Sequence, residues 1–271
     1  MWSTIRCRWR SYCVKFRAKR RLVVLPATLS TMKRDGVPRA QSNGDRSWKS
    51  FWESASSCRL NRVEASHFVE TLEQQVGLQS SWRVLDFGCG FGFTTGLIAA
   101  RVASVSAWDA AANMRAHARD HLAVHGNVEF LDLGTAIALP SDVDFDLIVV
   151  NSVVQYMSAD EFAGWLVAWR DGLDPRGRLV LSDLIPREYD VRRDIPAVLL
   201  FSLRRRTLLR ALIEGVKEWR RYRQVHRSVP LLTIAPEELV QQATELRLDV
   251  KILPVNLSSH PARLSVVLTR R

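Results

Sequence analysis

The stretch Arg83-Val84-Leu85-Asp86-Phe87-Gly88-Cys89-Gly90-Phe91-Gly92 sets the reading of this chain. Its first half is short and mostly apolar, like a buried strand. Its second half places glycine at every other position. Glycine takes φ > 0 freely and lets backbone approach a ligand closely, so the stretch predicts a strand that turns sharply into a helix. The sequence beyond it keeps alternating. A helix is expected over 94–102, a strand over 104–108 ending at Asp109, a helix over 111–124 that stops near Gly126, and a third strand over 127–131. Residues 145–150 are nearly all apolar, as a parallel strand buried on both faces should be. Ser158 and Glu161 form a capping box for a helix that buries Phe162, Trp165, Leu166 and Trp169, and 177–182 is a fifth strand. This alternation predicts a doubly wound α/β fold, a parallel sheet covered on both faces.

Upstream, 41–45 is a polar, glycine-containing linker. Trp48, Phe51 and Trp52 then share one helix face, and a helix over 64–75 buries Phe68, Val69 and Leu72 before stopping at Gly77. After Pro186 the pattern changes. Residues 196–228 read as helix, with Leu209, Leu212, Ile213, Val216 and Trp219 in one stripe and many arginines beside it. A short helix over 237–245 and strands over 248–253 and 264–268 complete the chain.

The 271 residues are 47% hydrophobic and 25% charged, ordinary for a globular chain, and suit one large domain with appendages. No apolar run approaches the ~18–20 residues of a bilayer span. Cys7, Cys13, Cys58 and Cys89 follow no metal or secreted spacing and read as reduced thiols. The net charge of +11 resides in residues 1–50, which hold 13 Lys/Arg and 2 acids; residues 51–271 hold 26 of each sign. Nucleic-acid binding by the body is therefore not implied. Within the body, 51–186 is net −8 and 187–228 is net +7. Residues 1–45 form a basic extension with three readings: a mitochondrial transit peptide, a nucleic-acid arm, or a tail preceding a start at Met32. A cytoplasmic location is the default expectation, with the mitochondrion the alternative under the first reading.

In doubly wound sheets, ligands bind outside the carboxyl ends of the strands where strand order switches. The glycine turn after strand one and Asp109 after strand two therefore mark a nucleotide-like cofactor, with Asp109 placed to take ribose hydroxyls. A nicotinamide site wants G-x-G-x-x-G, and here the third glycine falls one position early, at Gly92, with Phe93 in its place. Asp86 would also face a pyrophosphate unfavourably. A cofactor with a cationic sulfonium and an amino-acid tail reverses that sign.

On these residues the sequence resembles the class I S-adenosylmethionine-dependent methyltransferases. Val84 to Gly92 resembles the family's first motif. Asp109 with Asn113-Met114, Leu139-Pro140 before Phe145-Asp146-Leu147-Ile148, and Asp174-Pro175-Arg176-Gly177 resemble later landmarks in the same order, with Arg176 where glycine is usual. The resemblance covers about 46–271. It implies a Rossmann-like, mostly parallel seven-stranded sheet with an antiparallel last strand, and S-adenosyl-L-methionine as cofactor. Carried over position by position, it implies that Asp86, Phe87, Gly88, Cys89, Gly90 and Gly92 surround the methionine part. Asp109, Ala110 and Met114 lie at the ribose side. Thr135 and Ala136 stand where adenine is recognised, and Asn151 and Ser152 line the boundary between cofactor and acceptor.

The cofactor's methyl group is already activated, so the protein must mainly align an acceptor with it. Asp183, His260 and Tyr156 are the candidates for contact with the acceptor or for a general base, each against the plain reading of a surface or capping residue. His117, His121 and His125 recur every four residues, but no carboxylate or cysteine completes a metal set, so a solvated face is expected. The segment Trp48–Trp52 closes over the cofactor or packs on the sheet. Residues 187–228 form a lid, a membrane-surface helix or a dimer contact, against the plain reading of a helix that packs its leucine stripe on the domain; the lid is favoured, because the segment leaves strand five on the cofactor edge. The expected activity is methyl transfer to a small-molecule acceptor, with oxygen favoured because the Asn/Asp-Pro-Pro-aromatic motif of amino methyltransferases is absent. A nicotinamide oxidoreductase and a non-catalytic nucleoside-binding scaffold are the alternatives.

Overall fold

The fold was analysed in a computed structural model that describes residues 48, 51–53, 59–134, 136–141, 143–205 and 230–271. The expectations for residues 1–45, for Thr135 and for 206–228 fall outside the described residues.

Seven strands form one sheet in the order β3-β2-β1-β4-β5-β7-β6. They are β1 (Arg83–Phe87), β2 (Ser104–Trp108), β3 (Val128–Phe130), β4 (Phe145–Asn151), β5 (Leu173–Leu184), β6 (Leu248–Ile252) and β7 (Leu264–Arg270). The pairs β1–β2, β1–β4, β2–β3 and β4–β5 are parallel, and β7 runs antiparallel to both β5 and β6. The order reverses between β1 and β4, which places the switch-point crevice at their carboxyl ends.

Alternation along the strands explains why the sheet is covered twice. On β4, Leu147 and Val149 join one core with Val84, Phe68 and Leu72, while Ile148 and Val150 join the other with Leu85, Trp165 and Trp169. Successive side chains leave a strand on opposite faces, so a strand buried on both reads as a continuous apolar run. Helices α1 (Arg59–Gln75) and α2 (Phe93–Ala99) cover the first face, and α4 (Ala159–Asp171) and α6 (Pro236–Glu245) cover the second; α3 (Ala112–Leu122) follows β2. α1 stops where Gly77, at φ +74, donates its N–H to the Glu73 carbonyl at 3.0 Å. α4 opens on the expected box: Ser158 N–H donates to Glu161 Oε2 at 2.7 Å and Glu161 N–H to Ser158 Oγ at 3.2 Å.

Two bounds differ from the sequence reading. β5 begins at Leu173, not at Gly177, because Leu173 still pairs with Phe145 while a register shift absorbs Asp174 to Gly177 before Arg178 pairs with Leu147. The helix expected from 196 begins as α5 (Asp194–Arg204), with Pro196 in its first turn, where a missing N–H costs nothing. Among the described residues no helix is long and apolar enough to cross a membrane.

Candidate functional site

The turn after β1 is tied to the end of β2. Gly88 and Cys89 both donate backbone N–H to the Trp108 carbonyl, at 2.7 and 2.9 Å. Gly88, Gly90 and Gly92 take φ of +87, +53 and +78. A Cβ at Gly88 would lie 2.2 Å from Val153 Cγ2, and one at Gly92 2.8 Å from Leu122 Cδ1, whereas one at Gly90 would meet nothing within 4 Å. Two of the glycines therefore permit close packing, and the middle one opens onto space.

Asp86 sits beneath this turn, 2% exposed. Thr95 donates its hydroxyl to Asp86 Oδ2 at 2.6 Å. Burial, with help from Asp109, pushes the carboxyl up to about 6, against the Thr95 bond; among the described residues no cation pairs with it. Asp109 accepts the Gly90 N–H on Oδ2 and the Ala111 N–H on Oδ1, both at 2.9 Å. Burial raises its carboxyl too, opposed by those bonds and by Arg115. The crevice thus concentrates negative charge that the protein leaves under-compensated.

The neighbouring expectations divide. The Phe87 side chain lies in the core, its ring 4.6 Å from those of both Trp108 and Trp165, because the side chain after Asp86 leaves the strand on the opposite face; its backbone stays at the start of the turn. Cys89 turns its thiol among Ala107, Ala118 and Leu122, and burial, then Asp86 and Asp109, push the thiol well up; only its backbone belongs to the turn. Met114 is buried with Phe91 and Ala111 under Trp52 and Phe93. Ala110 and Ala136 are exposed.

Trp48 and 51–53 are helical and touch both the start of α3 and Tyr156 beyond β4. Glu53 accepts N–H groups of Ala112 and Asn113 at 2.7 and 2.9 Å, capping α3, while Trp48 and Trp52 pack on Tyr156 at ring distances of 4.8 and 5.6 Å. The histidines of α3 face aromatic neighbours: His117 lies 5.7 Å from Phe91, and His121 meets Phe93 edge-on at 4.7 Å. Among the described residues no group of three His, Cys, Asp or Glu is arranged to hold a metal.

At the ends of β4 and β5 the chain is strained: Ser152 and Asp183 take φ of +58 and +64. Asn151 Oδ1 and Gln155 Oε1 are buried there without hydrogen-bond partners among the described residues. Asp183 is the hub. Its Oδ2 accepts from Ser152 Oγ at 2.8 Å and from Arg263 Nη1; its Oδ1 accepts from Ser258 Oγ at 2.6 Å and Asn256 Nδ2 at 3.2 Å. Four donors fill about four lone-pair sites. Burial alone would raise this carboxyl, but Arg263, His260 and the hydroxyls hold it below the usual range. A carboxylate so engaged is a poor proton acceptor, and its four bonds tie Ser152, Asn256, Ser258 and Arg263 together. His260 Nδ1 lies 3.3 Å from Ser258 Oγ and 3.8 Å from Asp183 Oδ1. The Arg263 guanidinium stands 5.5 Å over the Tyr189 ring, and Asp183, Tyr189 and Tyr156 each favour its charge against burial.

Asp183, His260 and Tyr156 therefore converge around Arg263, a residue the sequence reading did not single out. A buried Asp183 demanded a cationic partner, and that demand was the available signal. Thr95 and Glu53 were also missed; neither has a local signature.

Residues 84–177 match the family model described as a methyltransferase domain. No curated protein sequence matches the chain significantly. Among solved structures, the chain is similar to DhpI in complex with SAH, at 17% identity over 85% of this chain and 98% of that one, with a TM-score of 0.56. It is also similar to the mitomycin 7-O-methyltransferase MmcR, at 14% identity over 83% and 60% of the two chains, TM-score 0.57. A third similarity is to magnesium protoporphyrin IX methyltransferase (ChlM) from Synechocystis PCC 6803 with bound SAM, at 13% identity over 85% and 92%, TM-score 0.51. At such identities the shared property is the fold.

Proposed function

We propose that this chain, which carries a class I methyltransferase domain, binds S-adenosylmethionine at the switch point between β1 and β4 and transfers its methyl group to a small-molecule acceptor by in-line displacement. The observation that carries this reading is Asp86: a buried carboxylate raised to about 6, beside a glycine turn, with no cation of its own among the described residues. An ammonium or sulfonium ligand supplies the missing charge, whereas a pyrophosphate would add to the repulsion. The open space at Gly90 and Asn151 Oδ1, unpartnered among the described residues, fit the same ligand, the latter as an acceptor awaiting a donor.

S-adenosylmethionine supplies, when bound, a methyl group activated by its sulfonium. The chain's residues do the rest. Asp86 and the backbone of Gly88, Gly90 and Gly92 hold the methionine end. Asp109, already oriented by two backbone N–H groups, offers its remaining lone pairs to the ribose hydroxyls. Ala110, Met114 and Ala136 flank the nucleoside, and Asn151 and Ser152 line the side toward the acceptor. Glu53, Trp48 and Trp52 hold the covering segment in place and exclude water.

Asp183 fixes Ser152, Arg263 and the loop carrying His260. Tyr156 and His260 face the acceptor, and His260 is the group placed to take a proton from an acceptor hydroxyl. The absence of an Asn/Asp-Pro-Pro-aromatic motif after β4, where the chain reads Asn151-Ser152-Val153-Val154, favours an oxygen acceptor. Thermal denaturation with S-adenosylmethionine, S-adenosylhomocysteine and NAD tests the reading. The first two are expected to raise the melting temperature by several degrees and NAD to leave it unchanged, since only a bound ligand stabilises. Stabilisation by NAD alone would contradict it. Release of S-adenosylhomocysteine with a panel of phenolic and enolic acceptors tests the transfer itself.

A further inference from the structure

We propose that the outward face of α5 is a docking surface for an anionic lipid bilayer. A helix on a water-soluble body normally turns its apolar side inward and its polar side out. α5 departs from this: its inward side mixes Val198 and Phe201 with buried polar groups, and its outward side is largely aliphatic. Its inward positions include Asp194 and Ser202, each 2% exposed. Asp194 accepts the Tyr189 hydroxyl at 2.6 Å and the Ala262 N–H at 2.8 Å. Its outward positions are Ile195, Leu199 and Leu203, four residues apart along one line, with Leu200 beside them, all between 45% and 59% exposed. Of nine large apolar residues exposed among the described residues, four lie on this one helix, so the exposure is a patch and not scatter.

The orientation is held from the inside. Phe201 packs its ring 5.1 Å from His67 of α1, and Arg205 pairs with Glu70 at 3.1 Å. Those contacts and Asp194 turn the leucines outward.

Charge selects the occupant. Arg192 and Arg193 are exposed at the amino end of α5 and Arg204 at its carboxyl end. The nearby acids Glu188 and Asp190 are exposed as well, so the described ends of the helix set Arg192, Arg193 and Arg204 against two carboxylates. Immediately beyond, 206–228 carries seven Lys/Arg against two acids. A second copy meeting this face across a two-fold axis would bring Arg192, Arg193 and Arg204 against their own kind. A bilayer of anionic lipids takes both the apolar line and the flanking arginines. The proposal does not depend on the cofactor reading.

Sedimentation of the full chain with phosphatidylcholine vesicles containing phosphatidylglycerol, and with phosphatidylcholine alone, tests it. The expected result is binding to the anionic vesicles, at least about tenfold weaker on the neutral ones and declining with added salt. Leu199→Glu combined with Leu203→Glu lowers binding by about a hundredfold, and Arg192→Gln with Arg193→Gln by about tenfold. Both variants keep the wild-type melting temperature and the wild-type response to S-adenosylhomocysteine, because the altered side chains face outward. Failure to sediment with anionic vesicles overturns the proposal. So does a dimer in sedimentation velocity that the double glutamate variant dissociates. A melting temperature lowered several degrees by that variant also overturns it, since the face would then be covered by the chain itself. Vesicle binding without any response to S-adenosylhomocysteine sinks the cofactor reading and leaves this one standing.

Discussion

Asp86 and Asp183 occupy equivalent places, at the carboxyl ends of β1 and β5, and both are 2% exposed. Their surroundings push them in opposite directions. Asp86 has the Thr95 hydroxyl for a donor, and burial drives it up to about 6. Asp183 has four donors, one of them a guanidinium, and is held below its usual value despite burial. The difference teaches which acid waits for a ligand. A buried carboxylate without a cation is a cost the apo protein carries until a cation arrives; one that is fully engaged is part of the frame.

The largest expected effect falls on the frame. Asp183→Ala leaves Arg263 buried without its partner and lowers the unfolding free energy by about 3–5 kcal/mol, measured by urea denaturation. A loss below about 1 kcal/mol would erase the contrast. Asp86→Asn behaves oppositely: stability near neutral pH is unchanged or raised, while affinity for S-adenosylhomocysteine falls by about ten- to a hundredfold in calorimetric titration, the worth of a hydrogen bond to a charged group.

The pH dependences also separate the two acids. The folded-state value of Asp86 is raised, so its contribution to stability is full below about 3.8 and is lost as pH rises through about 6. That of Asp183 is depressed, so its contribution is present above its ordinary value and is lost only as pH falls through the lower folded one. Apo stability monitored by thermal melts from acid upward should therefore rise as Asp183 ionises and slip as Asp86 does. The smallest effect belongs to Thr95→Val. Removing the hydroxyl raises Asp86 further and weakens S-adenosylhomocysteine binding at neutral pH by about fivefold, checked by the same titration.

The cofactor edge was legible in the sequence because its signature is local. Asp86, the glycine turn and Asp109 lie within 24 residues, and β1 and β2 have the bounds the sequence implies. That same locality does not say which atoms of Phe87 face the crevice: a motif groups consecutive residues, but a strand sends their side chains to opposite faces. The acceptor edge was legible only in pieces. Ser152, Asp183, Asn256, Ser258 and Arg263 meet because β7 lies beside β5, a pairing between segments about 80 residues apart. No periodicity encodes such a network. The fifth strand was read short because Pro175 and Gly177 look like a boundary, whereas the register shift lets pairing resume on both sides. The segment of α5 reads as helix with a membrane surface among its alternatives, but the apolar stripe is placed further on, at Leu209 to Trp219, because sequence does not show which side of 194–204 faces in.

The central claim is that Asp86 meets the cofactor's positive end in its ionised form. Calorimetric titration of S-adenosylhomocysteine, which keeps the amino-acid ammonium, into the wild type and Asp86→Asn at pH about 5 and about 7.5 tests it most directly. The wild type should bind about tenfold tighter at the higher pH, and the asparagine variant should bind weakly with little change. Equal affinities for the two proteins at both pH values would contradict the account.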